Sequence, residues 1–235
     1  PVAFDPLAAL GWSYRERAHT RALAWMLGAP GDDLAQQHPH GPALLRALTA
    51  LCLRRVDVLP GSLWRVPPTA PAEVRAETVV VETERAVGDG VRTAARAPDV
   101  CCTFDDAAGR GWLVVVEAKV EADEGAGQGR AYLDWMAHAH PSRHGVLVYV
   151  TPDGRAPEAT PDALSPVVAL RWGEVAAALL DALPPGDDGA MAFVRSVLGA
   201  WRARYGGDDA AAALVATVRA RHPVAVGRLL GPGAA

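Results

Sequence analysis

Residues 114–120 read VVVEAKV, and the fold follows from how this run is buried. Its valines are typical of a buried strand, yet Glu117 and Lys119 interrupt them two positions apart. Lys119 is also the only lysine among the 23 basic residues of the chain. The abundance of Arg, Ala and Gly indicates GC-rich coding, which replaces Lys with Arg wherever either serves. Lys119 has either survived this bias by chance or lies where arginine cannot serve. The second alternative predicts a position that needs a compact cation with an adjustable pKa.

The bulk composition bounds the class of protein. The chain has 235 residues and is 50% hydrophobic, which is enough for one large domain or two small ones; the order of elements, given below, favours a single domain spanning residues 1–235. A net charge of −4 argues against nucleic-acid binding through overall positive charge, but not against a local basic groove. Three cysteines without CxxC spacing argue against a disulfide scaffold or a structural zinc site. With no membrane-length apolar run and no visible signal peptide, we expect a cytoplasmic protein without a membrane partner.

Hydrophobic periodicity and turn residues predict the order ααβββαβααα. This order predicts one α/β domain with C-terminal helices packed on it. Helices are predicted at 12–27, 42–53, 126–140, 172–183, 190–205 and 208–221, and strands at 74–85, 98–104, 112–120 and 144–151.

The strand that carries VVVEAKV is expected to pair with the strand before it. Residues 105–111, DDAAGRG, have the composition of a tight turn. A hairpin symmetric about this turn places Phe104 opposite Trp112, and Asp99 opposite Glu117 with β-carbons roughly 5 Å apart. The hairpin therefore predicts two carboxylates close together at one end of the sheet.

Strand alternation adds Lys119 to the same face as Glu117. Two close carboxylates repel each other unless a cation joins them, and Mg²⁺ or Mn²⁺ would leave coordination positions for water and a phosphate oxygen. A neighbouring lysine could orient the attacking water or offset charge at phosphorus. The alternative is a surface Glu–Lys ion pair of little energetic value.

Two predicted helices each place polar side chains on an otherwise apolar face. Glu16 shares a helical stripe with Leu23 and Leu27, so its carboxylate is expected either at the rim of the core or in the site. Gln128 and Tyr132 lie one turn apart on a later helix, with Trp135 on the same face. They are expected either to serve the site or to be core aromatics beside a surface amide.

These residues together resemble the PD-(D/E)XK nuclease superfamily. Asp99 follows Pro98, and Glu117-x-Lys119 lies on the next strand, as in the signature of the superfamily. Further similarity to one prokaryotic branch lies in residues 16–30 with 40–41, 128–135, 148–152, and 164–165 with 172.

The resemblance implies a restriction-endonuclease-like αβββαβ core over about residues 12–183, with a mixed central sheet flanked by helices. A C-terminal helical extension would follow over about residues 184–230. It also implies that Asp99, Glu117 and the carbonyl of Ala118 bind Mg²⁺ or Mn²⁺, while Lys119 handles the water or the scissile phosphate. Glu16 would be the acidic residue of the first helix. The catalytic set implied in this way is Glu16, Asp99, Glu117, Lys119, Gln128 and Tyr132.

Three other sequence patterns could indicate a different function, but each has weaker support than the nuclease resemblance. Residues 125–130, GAGQGR, resemble a dinucleotide loop, but Arg occupies the place of the third glycine. Histidines at 138, 140 and 144 could bind a metal, although a helix end followed by a loop favours solvent-facing side chains. The adjacent Cys101 and Cys102 are expected to pack within a strand rather than perform redox chemistry.

Two functions remain at this point: a Mg²⁺-dependent nuclease, and a catalytically idle nucleic-acid-binding or assembly module on the same fold. The intact Asp99, Glu117 and Lys119 set favours the nuclease. The resemblance favours DNA over RNA, and the Ala-rich C-terminal helices suggest an interface in a homodimer or a larger complex. Phosphate contacts near the site are expected from Arg15, Arg17, Arg21, Arg130 and Arg143.

Overall fold

In the computed structural model, the strand that carries VVVEA lies at the centre of a mixed sheet. The structure describes residues 5–11, 15–29, 38–55, 69–84, 97–120, 127–157, 167–186 and 189–207. The helices are α1 (Pro6–Ala9), α2 (Glu16–Leu27), α3 (Gly41–Leu53), α4 (Gln128–Ala139), α5 (Trp172–Ala182) and α6 (Gly189–Tyr205). The strands are β1 (Val80–Thr83), β2 (Val100–Asp105), β3 (Gly111–Ala118), β4 (His144–Thr151) and β5 (Val167–Arg171).

The sheet formed by the described strands has the order β1-β2-β3-β4-β5. β1, β2 and β3 are antiparallel neighbours, whereas β4 and β5 run parallel to β3. Helices flank this open sheet, which confirms the α/β class and the mixed sheet. Phe104 pairs with Trp112, and the last pair of the hairpin is Val100 with Val116. The predicted register is therefore correct, and the next position along the hairpin brings Asp99 to Glu117.

The two faces of β3 are covered differently. Val114 and Val116 face a large apolar core built mainly with α2, α3, α5 and α6. Val115, on the other face, packs in a smaller cluster with Leu133 and Met136 of α4. Helix α6, assigned above to a C-terminal extension, buries Val194, Leu198 and Trp201 in the same large core.

Several predicted boundaries differ from the structure. The first long helix begins at Glu16 rather than at residue 12, because Arg15 has an extended backbone. The strand predicted over 74–85 is wrong at its start, where Ala76–Thr78 form a 3₁₀ turn. The Thr78 hydroxyl donates to the Arg75 carbonyl at 2.7 Å, which stabilises this turn in place of a strand.

Other differences concern elements that the pattern analysis did not find. It predicted neither the short α1, capped by the Asp5 carboxylate, nor β5. The α4 helix begins only at Gln128, because Gly127 has a left-handed backbone with φ of 68°. The helix predicted at 208–221 and the segment 164–165 lie outside the described residues.

The turn between β2 and β3 is held by the buried carboxylate of Asp106. Its oxygens accept hydrogen bonds from the backbone N–H of Ala108 at 3.0 Å and of Arg110 at 2.9 Å. The side chains of Arg110 and Trp112 donate to it at 2.6 and 3.1 Å. Burial alone would raise the pKa of Asp106, but these hydrogen bonds outweigh it and lower the pKa.

Replacing Asp106 should therefore weaken the whole hairpin. We expect Asp106→Ala to lower the free energy of unfolding by about 2–4 kcal/mol, because buried donors lose a charged acceptor. The neighbouring Asp105→Ala is the matched control and should cost less than about 1 kcal/mol, since its ion pair with Arg143 is partly exposed. Urea unfolding measures both values, and an equal loss in the two variants would contradict this role for Asp106.

Candidate active site at the end of the central strand

The site begins with a contact between Asp99 and the last residue of β3. Asp99 follows Pro98 immediately before β2, and its Oδ2 accepts a hydrogen bond from the Ala118 N–H at 2.8 Å. In an extended strand, the N–H and C=O groups of one residue point toward the same neighbouring strand. The Ala118 carbonyl would therefore point toward Asp99, as its N–H does. The hairpin thus brings Asp99 beside Glu117 and Ala118, as the sequence predicts.

Glu117 is the centre of a buried hydrogen-bond network, with 3% of its surface exposed. Its Oε1 accepts from Lys119 Nζ at 2.5 Å and from Gln128 Nε2 at 2.8 Å. The Tyr132 hydroxyl lies 3.1 Å from Oε2 and 3.0 Å from the Ala97 carbonyl, and its single proton serves one of them at a time. Gln128 Nε2 also donates to the Tyr132 hydroxyl at 2.8 Å.

The polar face of α4 therefore serves the site. Gln128 and Tyr132 both reach Glu117, and Tyr132 is also a core aromatic in the cluster beneath α4, so both expected placements are partly realised. Trp135 packs against the same apolar cluster, and its ring lies 5.1 Å from the His140 ring.

Lys119 lies one residue beyond the end of β3 and is buried, with 7% of its surface exposed. Its backbone N–H still donates to the Val150 carbonyl of β4 at 2.7 Å. Its ammonium bonds Glu117 and lies 3.7 Å from Glu16 Oε1. The alternative of an exposed surface ion pair is therefore wrong, because both Glu117 and Lys119 are buried.

Glu16 reaches the site from the first turn of α2. Its Oε2 accepts a hydrogen bond from the Val120 N–H at 3.3 Å, while about a quarter of its side chain stays exposed. Both placements expected for Glu16 are thus partly realised: the carboxylate lies at the rim and also contacts the site.

Burial and mutual repulsion shift the pKa values of the site. Burial, followed by the charge of Glu117, raises the pKa of Asp99 to about 7. Burial also raises the pKa of Glu117, against the opposing hydrogen bond from Lys119. Burial alone would lower the pKa of Lys119, but its hydrogen bond to Glu117 and the surrounding carboxylates raise it. Burial raises the pKa of Tyr132, so this side chain remains a neutral phenol. Because its pKa is raised, Lys119 carries a positive charge in this site.

The donor set fits a hard divalent cation. Asp99 and Glu117 provide carboxylate oxygens whose raised pKa values reflect burial without enough positive charge. No cluster of three or more His, Cys, Asp or Glu side chains with metal-binding geometry occurs in the described parts of the chain. Mg²⁺ is commonly held by one or two carboxylates with waters, so two carboxylates and the Ala118 carbonyl are an adequate set.

The predicted phosphate-binding arginines divide by position. Arg15, which precedes α2, and Arg17 and Arg21 within it are exposed, and the same helix carries Glu16. Arg17 pairs with Glu84 at 2.8 Å, with both side chains largely exposed. Arg130 on α4 is exposed and pairs with Asp134 at 3.0 Å. These four remain candidates for contact with phosphate.

Arg143 was predicted near the site, and this placement is wrong. Its guanidinium donates to the carbonyls of Phe104 and Trp112 and to the Asp105 carboxylate, at 3.0, 3.3 and 3.1 Å. Trp112 is five residues from Glu117, which is roughly 17 Å along an extended strand. Arg143 therefore binds the turn end of the hairpin.

Two contributors to the site were not assigned to it from the sequence. Trp172 donates from its indole Nε1 to the Lys119 carbonyl at 3.0 Å, but by its pattern it only begins a helix. Glu84 donates from its backbone N–H to the Asp99 carbonyl at 3.3 Å. Its φ of 51° is the one left-handed value of a non-glycine residue in the described segments, and no propensity signal predicts it.

The competing patterns have structural explanations where they are described. His138 Nδ1 donates to the Asp134 carbonyl at 2.6 Å on an exposed helix end, whereas His144 packs against Trp112. The adjacent Cys101 and Cys102 are buried free thiols on opposite faces of β2. The glycine-rich segment 125–130 lies partly outside the described residues, and α4 begins within it.

Comparison with known proteins found no matching family model, no similar curated protein and no similar solved structure. None of the helices in the described segments has the length and apolar character needed to cross a membrane.

The raised pKa of Asp99 predicts a pH-dependent stability. Unfolded aspartate has a pKa of 3.8, so between pH 4 and about 7 Asp99 keeps its proton in the folded protein but has lost it in the unfolded chain. The contribution of Asp99 to the stability of the metal-free protein should therefore fall as pH rises through this window. In EDTA, Asp99→Asn should raise Tm relative to wild type by about 3 °C or more at pH 8, and by less at pH 4.5.

Asp153→Asn is the control, because the pKa of Asp153 is lowered where that of Asp99 is raised. The backbone N–H of Arg155 and the Thr151 hydroxyl lower the pKa of Asp153, so its ionised form is favoured in the folded protein. Its replacement should not stabilise the protein at pH 8. A Tm difference between Asp99→Asn and wild type that is constant or shrinks from pH 4.5 to 8 would contradict the burial argument.

Proposed function

We propose that this protein is a metal-dependent nuclease that hydrolyses phosphodiester bonds of nucleic acid, with DNA the favoured substrate. One observation carries the proposal: a carboxylate pair, the single lysine and the polar face of α4 converge at the end of β3. Stability alone gives little reason to bury these groups together, because apolar residues of similar volume would serve as well or better.

The order of elements supports membership of the PD-(D/E)XK superfamily. Apart from α3, an additional helix between α2 and β1, the chain from α2 to β4 follows the αβββαβ order that the resemblance implies. The Pro-Asp motif and the Glu-x-Lys motif lie at adjoining ends of an antiparallel pair, as two parts of one site require.

The residues have distinct parts in the proposed reaction. Asp99, Glu117 and the Ala118 carbonyl would hold Mg²⁺ or Mn²⁺, which when bound supplies Lewis acidity and a more acidic water. Lys119 would donate hydrogen bonds to the attacking water or to a phosphate oxygen and offset the developing negative charge. Glu16, which is partly exposed, would accept a hydrogen bond from water at the rim.

Gln128 and Tyr132 act on the carboxylate of Glu117. Their hydrogen bonds to its two oxygens fix the plane of the carboxylate, and Gln128 remains partly exposed beside it. Arg15, Arg17 and Arg21 on α2, together with Arg130 on α4, supply exposed positive charge for the nucleic-acid backbone. Contacts of this kind fix the position of the substrate without reading its sequence.

Cleavage of DNA by the purified protein tests the proposal. With Mg²⁺ or Mn²⁺, wild type should cut, and Asp99→Ala or Lys119→Ala should each reduce the rate by at least about 100-fold. Lys119→Arg should also be strongly impaired, because a planar fork cannot replace a compact ammonium. Glu77→Ala, which removes an exposed carboxylate in a surface ion pair with Arg75, is the control and should cut normally.

Two outcomes would decide against parts of the proposal. Cleavage undiminished in both Asp99→Ala and Lys119→Ala would remove the site assignment. A wild-type protein that binds DNA or RNA but cuts neither would favour the idle binding module over the nuclease.

A further inference from the structure

Side chains hold both polar atoms of the peptide group that joins Lys119 to Val120. The indole Nε1 of Trp172 donates to the Lys119 carbonyl at 3.0 Å, and Glu16 Oε2 accepts from the Val120 N–H at 3.3 Å. The Lys119 N–H donates to the Val150 carbonyl at 2.7 Å. Lys119 lies beyond the last paired residue of β3, so two of these three bonds depend on side chains from α5 and α2.

The Trp172 ring is itself enclosed on two sides. Trp172 is fully buried at the first position of α5. The Trp201 ring of α6 lies 4.6 Å from it, and the His19 ring of α2 meets it nearly edge-on at 5.5 Å. His19 also stacks on Trp201 at 5.6 Å. The indole of Trp172 is therefore packed within an aromatic group of His19, Trp172 and Trp201, with its N–H bonded to the Lys119 carbonyl.

We propose that Trp172 is a positioning residue for the reaction, acting through the backbone of Lys119. The inference rests on the proposed function and deepens it by naming what aims the lysine. An ammonium at the end of a four-carbon side chain can adopt many positions, and a fixed Cα limits those that reach Glu117. Small displacements of a reacting group are costly in rate, so the carbonyl bond has a consequence for catalysis beyond packing.

The chain contains a matched control for this bond. Trp201 is equally buried in the same aromatic group, but its Nε1 has no hydrogen-bond partner in the described structure. Trp172→Phe and Trp201→Phe therefore remove similar volume from one cluster, while only the first removes a hydrogen bond. We expect Trp172→Phe to lower kcat by about 10–100-fold with KM for DNA and the Kd for Mn²⁺ unchanged. Trp201→Phe should keep kcat within about twofold of wild type.

A second measurement does not depend on activity. Because Lys119 is the only lysine, protein labelled with ¹⁵Nζ-lysine gives a single side-chain ammonium signal that needs no assignment. We expect Trp172→Phe to shift this signal and to speed its hydrogen exchange, because the ammonium loses its fixed place beside Glu117. Trp201→Phe should leave both properties close to those of wild type.

The two measurements separate the proposals. If wild type cuts no nucleic acid but the ammonium signal changes only in Trp172→Phe, the positioning role stands and the nuclease proposal fails. If Trp172→Phe matches Trp201→Phe in the signal and in any kcat that wild type shows, the positioning role is overturned. Should Trp172→Phe not fold, 3-benzothienylalanine at position 172 keeps the bicyclic shape, replaces the N–H by sulfur, and is judged by the same outcomes.

Discussion

The buried ion pair between Glu117 and Lys119 is the constraint on which the rest of the site depends. Removing two charges from water costs several kcal/mol each, and their attraction offsets this only when the remaining hydrogen-bonding positions are satisfied. Glu117 meets that condition through Gln128 and Tyr132, and Lys119 has Glu16 as its second carboxylate. Burial of this ion pair therefore requires the polar side chains that α2 and α4 direct toward it.

The apolar part of β3 makes such burial possible. Valines at 114–116 are enclosed on both faces of the sheet, so the strand enters the site from a rigid core. The charged residues follow only at the end of the strand, with Glu117 in its last positions and Lys119 just beyond it. Asp99 then adds a second carboxylate beside Glu117, and burial, followed by the negative charge of Glu117, raises its pKa. A divalent cation would offset this negative charge, which is the physical link between the fold and the proposed chemistry.

Residue patterns predicted much of this site because its main contacts follow from a hairpin. A symmetric turn determines the pairing of Phe104 with Trp112, and simple counting along the strands then reaches Asp99 and Glu117. Helical spacing likewise placed Gln128 and Tyr132 on one face. Contacts that depend on how helices pack have no such periodic signal, and neither Trp172 nor the position of Arg143 could be obtained in that way. Local backbone effects, such as the 3₁₀ turn before β1, were missed because side-chain hydrogen bonds override strand propensity.

The geometry also gives a reason for the survival of one lysine in a chain that otherwise uses arginine. The ammonium of Lys119 occupies a small space, bonding Glu117 Oε1 while lying 3.7 Å from Glu16. A guanidinium presents its donors as a planar fork and favours both oxygens of one carboxylate. The second oxygen of Glu117 already contacts Tyr132, and the first also accepts from Gln128. An arginine here would have to displace the α4 contacts that make the burial of Glu117 tolerable. GC-rich coding can therefore replace lysine by arginine at the exposed positions of α2, whereas the buried position 119 requires lysine.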